Sequence, residues 1–417
     1  MRVTWITNVP VADEQSDPRV ASGGWLDVGL KELRARSSTD VTVLSPDFGW
    51  TAGLVANWKT PTPGTFRAIS LEDLPTGTEN LTRLIRETDP DLVHIHGTEY
   101  PHSYAALLAA RNLGVPVVVS IQGLIGEIAK SYLDGVPARV AQQQTLRDRL
   151  RWGSLMHQSA EYARRGEIEK RSLAGAVAII GRTAWDRSFA TEHAKGVPYW
   201  HINESLRDSF YAAPRIDIHD REKTILMPSP STPIKGFHLV VDALAQLLEQ
   251  DLDLSVRILG GIAWRRPSLK QRMRETAYQR HIRGVATSRG ITGRLTSLGS
   301  LNETHMREEM DRAGILLLPS VLENSPNTVG EAMMSGLPVV ATKRGGVSSI
   351  IADGSEGLLV EPSDTSSVVE AVRALLYDPE ASAHRAVRAR KRAESTHDRR
   401  ANTDRLVGLY STFARDR

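Results

Sequence analysis

Two glutamates in the second half of the chain, Glu323 and Glu331, flank the start of a predicted helix. The helix is predicted to begin near Pro326. The N–H groups of its first turn, around Asn327 and Thr328, then lack helical partners and favour a bound diphosphate. Glu331, one turn further in, can reach ribose hydroxyls, and Glu323 can reach a sugar on the far side of the phosphates. The pattern indicates a nucleotide-sugar site, although an isolated Glu331 would be interpreted as a solvated helix face.

Apolar runs on both sides of this helix predict the elements that position it. Ile315–Leu318, closed by Pro319, is predicted to be a buried parallel strand, and Leu337–Thr342 is predicted to be the next one. A helical spacing that runs on to Gly336 predicts the face that packs on the sheet, formed by Val329, Ala332 and Met333. Gly336 also supplies the C-terminal stop of the helix.

The order strand, Pro, Glu323, seven residues, Glu331, AMMSGLPVVAT and the pair Gly345–Gly346 resembles the retaining glycosyltransferases of family 4. Motif-level resemblance covers mainly the second half of the chain, and the first half matches only in the order of its elements. The resemblance implies the two-domain GT-B fold. It also implies a nucleotide-sugar donor held mainly by the second domain and an acceptor held by the first.

The same resemblance implies a mechanism and a donor. Its leading mechanism is front-face displacement with retention of configuration, in which the leaving diphosphate helps to take the proton of the acceptor. No metal and no further cofactor are expected, because protein cations and N–H groups meet the developing charge. Family frequency favours a UDP-sugar.

Short β-branched runs alternate with helical patterns in two sets, which predicts an α/β chain. Two Rossmann-like domains, with parallel sheets facing a central cleft, are expected. The first set comprises 3–7, 41–44, 92–95, 115–121 and 177–180; the second comprises 224–227, 254–259, 296–298, 315–318 and 339–341. A polar stretch at 213–221 predicts the boundary. The expected domains are an acceptor-binding domain (1–211), a nucleotide-sugar-binding domain (212–396) and a helix that crosses back to the first domain (397–417).

Composition fits a large enzyme and excludes several classes. Among 417 residues the net charge is only +3, which argues against general nucleic-acid binding, and 41% are apolar, enough for sizeable cores. The absence of cysteine excludes disulfides, thiolate catalysis and cysteine zinc sites. No run of 18 apolar residues occurs, and the start MRVTWITNVP lacks the apolar core of a signal peptide, so a cytoplasmic location is expected.

Further donor-side candidates lie in two loops. Gly23 and Gly24 follow the first strand and open a helix, where glycines let the backbone approach a phosphate; a tight turn is the alternative. Lys235 follows the first strand of the second set beside Gly236. Its charge can neutralise a leaving diphosphate, whereas the alternative is a solvated surface lysine.

The chain departs from the family pattern at two positions. Many members carry a His that contacts the transferred sugar after the strand 117–121, but Gln122 stands here and offers only hydrogen bonds. Many also carry an Arg five or six residues before the phosphate lysine, where this chain has Pro230 and Ser229. Arg344 is a candidate substitute for that cation.

Strand ends in the first half supply the acceptor-side candidates. His94 and His96 share one face of a strand, and a zinc cluster with His102 is one interpretation; without a completing carboxylate or Cys, a hydrogen-bonded strand end is favoured. By the resemblance, Glu99, Tyr100 and His102 face the acceptor. Arg182 follows the strand AVAII, where open α/β sheets bind ligands; a helix start capped by Thr183 is the alternative.

A basic and apolar segment, Ile128 to Arg171, suggests a membrane contact. Its apolar stripe is predicted to comprise Leu146, Leu150, Leu155 and Met156 beside a basic face. A core-facing helix is the alternative interpretation. The functional interpretation is peripheral contact with anionic lipid, which suits an enzyme that extends a lipid-linked envelope glycan.

The sequence therefore favours a retaining glycosyltransferase acting on a glycan or lipid-linked acceptor in envelope polysaccharide synthesis. An NAD-dependent dehydrogenase would also give two α/β sets, but the chain contains no G-x-G. A GT-B sugar-nucleotide epimerase and a non-catalytic sugar-nucleotide-binding subunit remain as alternatives.

Overall fold

The computed structural model describes residues 1–9, 11, 24–47, 65–67, 72–151, 153–212 and 217–415. Gly23 lies outside the described residues, as do 213–216 of the predicted boundary. Two parallel sheets and their flanking helices form the described part of the chain.

The described strands, in chain order, are β1 (Arg2–Thr7), β2 (Asp40–Asp47), β3 (Thr65–Arg67), β4 (Leu92–His96), β5 (Val117–Ser120), β6 (Ala178–Gly181), β7 (Tyr199–His201), β8 (Thr224–Met227), β9 (Ser255–Ile258), β10 (Leu295–Ser297), β11 (Ile315–Leu318), β12 (Val339–Thr342) and β13 (Leu358–Val360). They include all ten strands that the sequence predicts. The three additional strands are β3, β7 and β13, each only three residues long and therefore too short to show a period.

The described α-helices, in chain order, are α1 (Gly24–Arg36), α2 (Leu74–Thr88), α3 (Pro101–Asn112), α4 (Ile125–Ser131), α5 (Ala138–Gln142), α6 (Leu146–Arg151), α7 (Leu155–Ala174), α8 (Ala184–His193), α9 (Asp208–Tyr211), α10 (Phe237–Gln250), α11 (Leu269–Arg274), α12 (Ala277–Ser288), α13 (Glu303–Arg312), α14 (Asn327–Met334), α15 (Thr365–Leu376), α16 (Pro379–Thr396) and α17 (Arg399–Phe413). None of these described helices is both long enough and apolar enough to span a bilayer.

The first sheet has the strand order β3-β2-β1-β4-β5-β6-β7, and its strands pair in parallel. Val3 pairs with Val41 on one side and Leu92 on the other. Winding reverses between β1 and β4, and open α/β sheets bind ligands in the crevice at such a switch point, beyond the carboxyl ends of the strands.

The second sheet has the order β10-β9-β8-β11-β12-β13 and is also parallel. Leu316 pairs with Leu226 in β8 and Val339 in β12. The switch point of this sheet therefore lies between β8 and β11. The loops that follow those two strands carry Lys235 and Glu323.

The chain divides into two compact units. Unit 1 comprises Met1–Glu127, Ala163–Arg207 and His397–Arg417, and unit 2 comprises Ile128–Tyr162 and Asp208–Thr396. The predicted first domain, 1–211, runs on without a break and so includes Ile128–Tyr162. This part of the prediction differs from the structure.

The segment Ile128–Tyr162 belongs to unit 2 because its apolar side chains pack into the core of that unit. Tyr132, Val140 and Leu155 are buried in one cluster with Phe237 and Tyr278. The predicted boundary at 211 also shifts, because α9, which buries Phe210 completely, begins the second segment of unit 2 at Asp208. Sequence periodicity does not identify the unit against which an apolar helix packs.

The last helix, α17, packs in unit 1 through a buried polar cluster. The Tyr410 hydroxyl accepts a hydrogen bond from Trp5 Nε1 at 3.0 Å and contacts His94 Nδ1 at 2.6 Å. The other ring nitrogen of His94 bonds to Ser120 Oγ at 2.7 Å. Because buried polar groups require partners, these bonds fix the register of α17 on the sheet.

Candidate active site

Two charged side chains meet at the switch point of unit 2. Lys235, in the loop after β8, donates a hydrogen bond to Glu323 Oε1 at 2.7 Å, and Ser320 Oγ donates to the same oxygen at 2.7 Å. The Glu323 side chain is largely buried, whereas about a third of the Lys235 side chain is exposed. The pair therefore presents a cation at the carboxyl edge of the sheet.

Close backbone contacts hold the loop of Glu323. Gly236 has φ +69°, and a Cβ there would lie 1.8 Å from the Pro319 carbonyl oxygen. Gly345 has φ +83°, and its Cβ would lie 2.1 Å from the carbonyl oxygen of Glu323. Gly346 N–H donates to that carbonyl at 2.8 Å. Only glycine allows both the left-handed backbone and these close approaches.

Helix α14 begins immediately after this loop, with Pro326 at its N-cap. Val329, Ala332 and Met333 are completely buried, which confirms the predicted sheet-facing side of the helix. Gly336, at φ +66°, ends it. Glu331 lies one turn into the helix and is 5% exposed. The first-turn amides of α14 and the pair Lys235–Glu323 thus belong to one loop-and-helix unit.

Two other positions of unit 2 concern the phosphate cation that the family pattern expects: Ser229, which stands near the family Arg, and Arg344, its candidate substitute. Ser229 lies against Gly260, where a Cβ would be 2.3 Å from the serine Oγ. Arg344 forms ion pairs with Asp134 at 2.9 Å and Glu361 at 2.7 Å. Arg344 therefore fastens the segment Ile128–Tyr162 to the rest of unit 2, and these contacts do not support it as the substitute phosphate cation.

A second polar cluster lies at the switch point of unit 1. Glu99, after β4, accepts hydrogen bonds from Asn8 Nδ2 and from Gly123 N–H at 2.8 Å. His102 Nε2 donates to Asn8 Oδ1 at 2.9 Å. Burial raises the pKa of Glu99 above its ordinary value, while the backbone N–H of Gly123 and the charge of Arg165 oppose that rise.

Gln122 and Arg182 form a third cluster, with Glu204. Gln122 Nε2 donates to Glu204 Oε1 at 2.6 Å, and the buried Arg182 guanidinium pairs with Glu204 Oε2 at 2.6 Å. Arg182 also donates to the backbone carbonyls of Ile121 and Gln122 at 3.0 and 3.1 Å. The amide of Gln122 therefore has a fixed orientation at the carboxyl end of β5. His397 donates to the Glu204 backbone carbonyl at 2.8 Å and supports that loop.

The three histidines of the predicted strand end are buried side chains. Burial lowers the pKa of His96 and of His102 to about 3, and it lowers the pKa of His94 well below its ordinary value. The hydrogen bonds of His94 and His102 agree with the hydrogen-bonded strand end that the sequence favours. In the part of the chain that the structure describes, no group of three or more His, Asp or Glu residues is arranged to hold a metal ion.

Family comparisons match both halves of the chain. Residues 212–392 match the family described as glycosyl transferases group 1, and residues 30–202 match the glycosyl transferase 4-like domain. The chain belongs to the family-4-like glycosyltransferases of the GT-B fold. The resemblance inferred from Glu323, Glu331 and the glycine pair is thereby confirmed.

Two curated relatives of this glycosyltransferase have more specific names. It is 25% identical over 342 residues to alpha-D-kanosaminyltransferase of Streptomyces kanamyceticus, a match that covers 79% of each chain. It is 27% identical over 204 residues to the putative colanic acid biosynthesis glycosyltransferase WcaL of Escherichia coli K12, a match that covers 44% of this chain and 47% of the relative.

Solved structures share the fold of this glycosyltransferase. Sucrose-phosphate synthase from Thermosynechococcus elongatus superposes with a TM-score of 0.71 at 17% identity, covering 99% of both chains. Anabaena HepE in complex with UDP-glucose superposes with a TM-score of 0.67 at 17% identity, covering 99% of this chain and all of HepE. At these identities, the likeness establishes the GT-B fold.

Within each unit, the structure brings several predicted site residues together. Glu323 and Lys235 are in direct contact, and Asn327, Thr328 and Glu331 follow on the adjoining helix. Gln122 contacts Arg182. Glu99 and His102 share the contact with Asn8, and the Tyr100 ring stacks on His102 at 5.4 Å under the guanidinium of Arg165. Gly24 begins α1 and lies against Arg207.

The alternative interpretation of the Arg182 segment, a helix start capped by Thr183, is correct for Thr183 itself. Thr183 Oγ1 accepts a hydrogen bond from Asp186 N at 3.1 Å and caps α8 in a capping box. Asp186 is fully buried and also accepts a hydrogen bond from the Tyr199 hydroxyl at 2.6 Å. These two residues stabilise a helix start, whereas the Arg182 side chain orients Gln122.

Sequence reasoning missed three polar residues of unit 1. Asn8 directly follows β1, and Glu204 lies in the loop shortly after β7, so the rule that strand carboxyl ends meet at one edge would have found them. Glu169 carries no such signal, because it lies within α7. Its buried carboxylate accepts hydrogen bonds from Thr98 Oγ1 at 2.8 Å and from the first two amides of α4, Ile125 and Gly126, at 3.1 and 3.2 Å.

Glu169 predicts a dependence of stability on pH. Burial raises its pKa from 4.5 to about 7, so the folded state holds this proton more tightly than the unfolded state does. The resulting stabilisation is complete below the unfolded pKa and is lost as pH rises through about 7. Relative to Glu169→Gln, the wild type should lose roughly 2 kcal/mol of unfolding free energy between about pH 5 and about pH 8.

Denaturant titrations at several pH values measure this effect. Glu167→Gln is the matched control, because Glu167 lies on the same helix, is exposed, and has its pKa lowered by the Lys170 ammonium. Parallel pH curves for the wild type and Glu169→Gln would show that Glu169 does not titrate in this range.

Proposed function

We propose that this glycosyltransferase retains the anomeric configuration and takes its sugar from a nucleoside diphosphate donor, a UDP-sugar, bound to unit 2. The observation that carries the proposal is the convergence of Lys235, Glu323 and the α14 N-terminus at the switch point between β8 and β11. Such crevices bind nucleotides in open α/β sheets. The solved HepE complexes with UDP and UDP-glucose support this donor class by analogy of fold.

Each group in unit 2 has a chemical role in the proposed complex. The first-turn amides of α14, at Asn327 and Thr328, bind diphosphate oxygens with the positive end of the helix dipole. Lys235 carries the charge that meets the leaving phosphate. Glu331 accepts hydrogen bonds from ribose hydroxyls, and Glu323 accepts them from the transferred sugar. Glu323 already bonds to two donors, so it acts by positioning and not as a nucleophile.

The proposed reaction is a front-face displacement. The bond from the anomeric carbon to the phosphate oxygen breaks while the acceptor oxygen bonds to that carbon from the same face. The proton of the acceptor hydroxyl passes to the leaving phosphate oxygen. Because the cation of Lys235 and the α14 amides stabilise the growing phosphate charge, the proposal requires no metal ion.

The proposed acceptor site is the polar edge of unit 1. Glu99 and Tyr100, both partly exposed, carry a carboxylate and a hydroxyl that suit sugar hydroxyls, while the fully buried His102 supports them by stacking on Tyr100 and bonding to Asn8. Gln122, held by Arg182, adds an amide in a fixed orientation. A glycan carried by an envelope lipid is the proposed acceptor, and the relative WcaL, named for colanic acid biosynthesis, supports an envelope glycan.

Replacing Glu331 tests the donor site. Glu331→Ala is expected to raise the Kd of the best-bound UDP-sugar by roughly ten- to a hundredfold, because hydrogen bonds to a charged acceptor are worth ~1.5–3 kcal/mol. Isothermal titration calorimetry measures the Kd, after a thermal-shift panel of UDP, GDP and ADP compounds identifies the ligand. Glu331→Gln keeps the shape of this buried side chain, so its donor Kd should lie between those of the wild type and Glu331→Ala.

The control for this experiment is Glu370→Ala, which removes an exposed glutamate from α15 in the same unit. Its donor Kd should equal that of the wild type. If Glu331→Ala also keeps the wild-type Kd, Glu331 does not bind the donor. Product analysis with and without a glycan acceptor separates transfer from the epimerase alternative, in which the donor sugar changes without acceptor. Complete absence of turnover would favour a non-catalytic binding subunit.

A further inference from the structure

Helix α6 in unit 2 has its apolar and polar faces reversed relative to an ordinary surface helix. Leu146 and Leu150 are 59% and 76% exposed, whereas Asp148, between them, is 3% exposed. Globular helices normally bury the apolar face and solvate the charged one. Two exposed leucines at positions i and i+4 therefore require an explanation beyond the packing of this unit.

Hydrogen bonds fix this reversed orientation. Asp148 Oδ2 accepts from the N–H and the hydroxyl of Thr145, each at 2.9 Å, and from the N–H of Ala277 at 2.9 Å. Ala277 is the first residue of α12, so the carboxylate also stabilises that helix terminus. The two bonds from Thr145 are local to the start of α6, whereas the bond from Ala277 ties α6 to α12, so rotating α6 to bury its leucines would expose Asp148 and break that bond.

The adjacent helix α11 repeats the feature. Leu269 and Met273, again at i and i+4, are 76% and 57% exposed. A capping box fixes the start of α11, in which Ser268 and Gln271 bond to one another's backbone. The guanidinium of Arg147, on α6, donates to the carbonyl of Arg274 at the end of α11 and joins the two helices.

The surroundings of these four apolar side chains are cationic. The stretch from Arg265 to Arg274, which contains α11, carries five basic residues and no acidic one: Arg265, Arg266, Lys270, Arg272 and Arg274. All five are exposed, and so is Arg149 on α6. The one acidic residue of α6 is the buried Asp148. We name this combination of α6 and α11 the basic-apolar surface.

We propose that the basic-apolar surface of unit 2 docks this glycosyltransferase onto an anionic phospholipid bilayer. Aliphatic side chains on short helices, surrounded by basic side chains, match an apolar membrane interface covered by negative headgroups. A protein partner is favoured less, because the surface has no exposed aromatic anchor among its described residues and no counter-charge of its own. The inference rests on the proposed transfer to a lipid-carried glycan.

The basic-apolar surface differs from the membrane contact that the sequence predicts. The predicted stripe of Leu146, Leu150, Leu155 and Met156 does not form, because Leu155 is buried in the core of unit 2 on a different helix. The basic residues Arg164, Arg165, Lys170 and Arg171 belong to unit 1. The partner of α6 is instead α11, more than a hundred residues further along the chain.

Vesicle co-sedimentation tests the proposal with the full chain. The wild type should pellet with vesicles of equal parts phosphatidylcholine and phosphatidylglycerol at about 50 mM salt, remain in solution with pure phosphatidylcholine, and be released at about 500 mM salt. The double variants Leu146→Ser/Leu150→Ser and Leu269→Ser/Met273→Ser should each weaken binding by about tenfold or more. Lys270→Gln/Arg272→Gln should weaken it and flatten its salt dependence.

Leu252→Ser is the matched control, because Leu252 is 82% exposed in unit 2 but lies outside the basic-apolar surface. It should bind vesicles like the wild type. Thermal melting of every variant checks folding, and calorimetry with the UDP-sugar checks that donor binding is unchanged. Loss of vesicle binding with intact donor binding supports the surface. Wild-type vesicle binding in both apolar double variants would overturn it, whatever the outcome for the proposed function.

Size-exclusion chromatography adds a second discriminating measurement. If the apolar side chains join two copies of the chain instead, the wild type should elute as a dimer that the serine variants dissociate, and vesicle binding should not depend on lipid charge. That result would also overturn the bilayer proposal.

Discussion

Lys235→Ala is expected to lower kcat by about a hundredfold while changing the donor Kd by less than about threefold, because the charge that Lys235 meets grows in the transition state. In the free enzyme the ammonium lies 2.7 Å from Glu323. A bound diphosphate would therefore gain a cation that is already positioned. Removing it leaves the α14 amides as the remaining stabilisation of the leaving group.

Steady-state kinetics and calorimetry with the same UDP-sugar measure the two quantities. The matched control is Lys223→Ala. Lys223 immediately precedes β8, the strand whose following loop carries Lys235, and it pairs with Asp251 on the surface. Its kcat should stay within about twofold of the wild type, since exposed ion pairs contribute little. An unchanged kcat in Lys235→Ala would remove the assignment of Lys235 to the leaving phosphate.

Gly236→Ala is expected to lower the unfolding free energy by about 3 kcal/mol or more and to abolish measurable donor binding. The residue has φ +69°, and its new methyl carbon would lie 1.8 Å from the Pro319 carbonyl oxygen. The loops after β8 and β11 must then separate, which pulls Lys235 away from Glu323. The melting temperature should fall by roughly 6–12 °C.

Gly290→Ala separates the two causes of the lost stability, which are the left-handed backbone and the clash of the new methyl group. Gly290 has φ +71°, but a Cβ there meets nothing within 4 Å, so only the left-handed backbone is penalised. This control should lose about 1–2 kcal/mol and keep donor binding. Equal losses in the two variants would contradict the proposed contact between the loops. Thermal melts with and without the UDP-sugar give both readouts.

Local patterns were sufficient to predict much of the structure around the proposed donor site. The run Ile315–Leu318, the helix face of Val329, Ala332 and Met333, and the stop at Gly336 are periodic features, and each occurs where the sequence predicts it. β11 and β12, which α14 connects, are neighbours in the sheet, as short βαβ connections favour. The motif carried by this unit, with Glu323 and Glu331, identified the fold and the family. The roles of the individual site residues stay predictions.

The proposed acceptor side was less accessible from sequence because its contacts join residues far apart in the chain. Gln122 could be recognised as a departure from the family His, but its partner Glu204 follows a three-residue strand without a periodic signal. Glu169 lies in the middle of a polar helix, where nothing marks a carboxylate that binds the start of α4. Burial, and with it the raised pKa, is a property of the assembled unit.

The sequence by itself determined the α/β class, the ten main strands and the glycosyltransferase family, because these follow from short periods and local motifs. Only the tertiary structure decided that Ile128–Tyr162 packs in unit 2, that Arg344 pairs with Asp134 and Glu361, and that Leu146 and Leu150 face solvent. An amphipathic pattern identifies two faces of a helix. Which face is buried depends on the partners available, and here α6 buries Asp148, which accepts a hydrogen bond from Ala277 of α12, while its two leucines stay exposed.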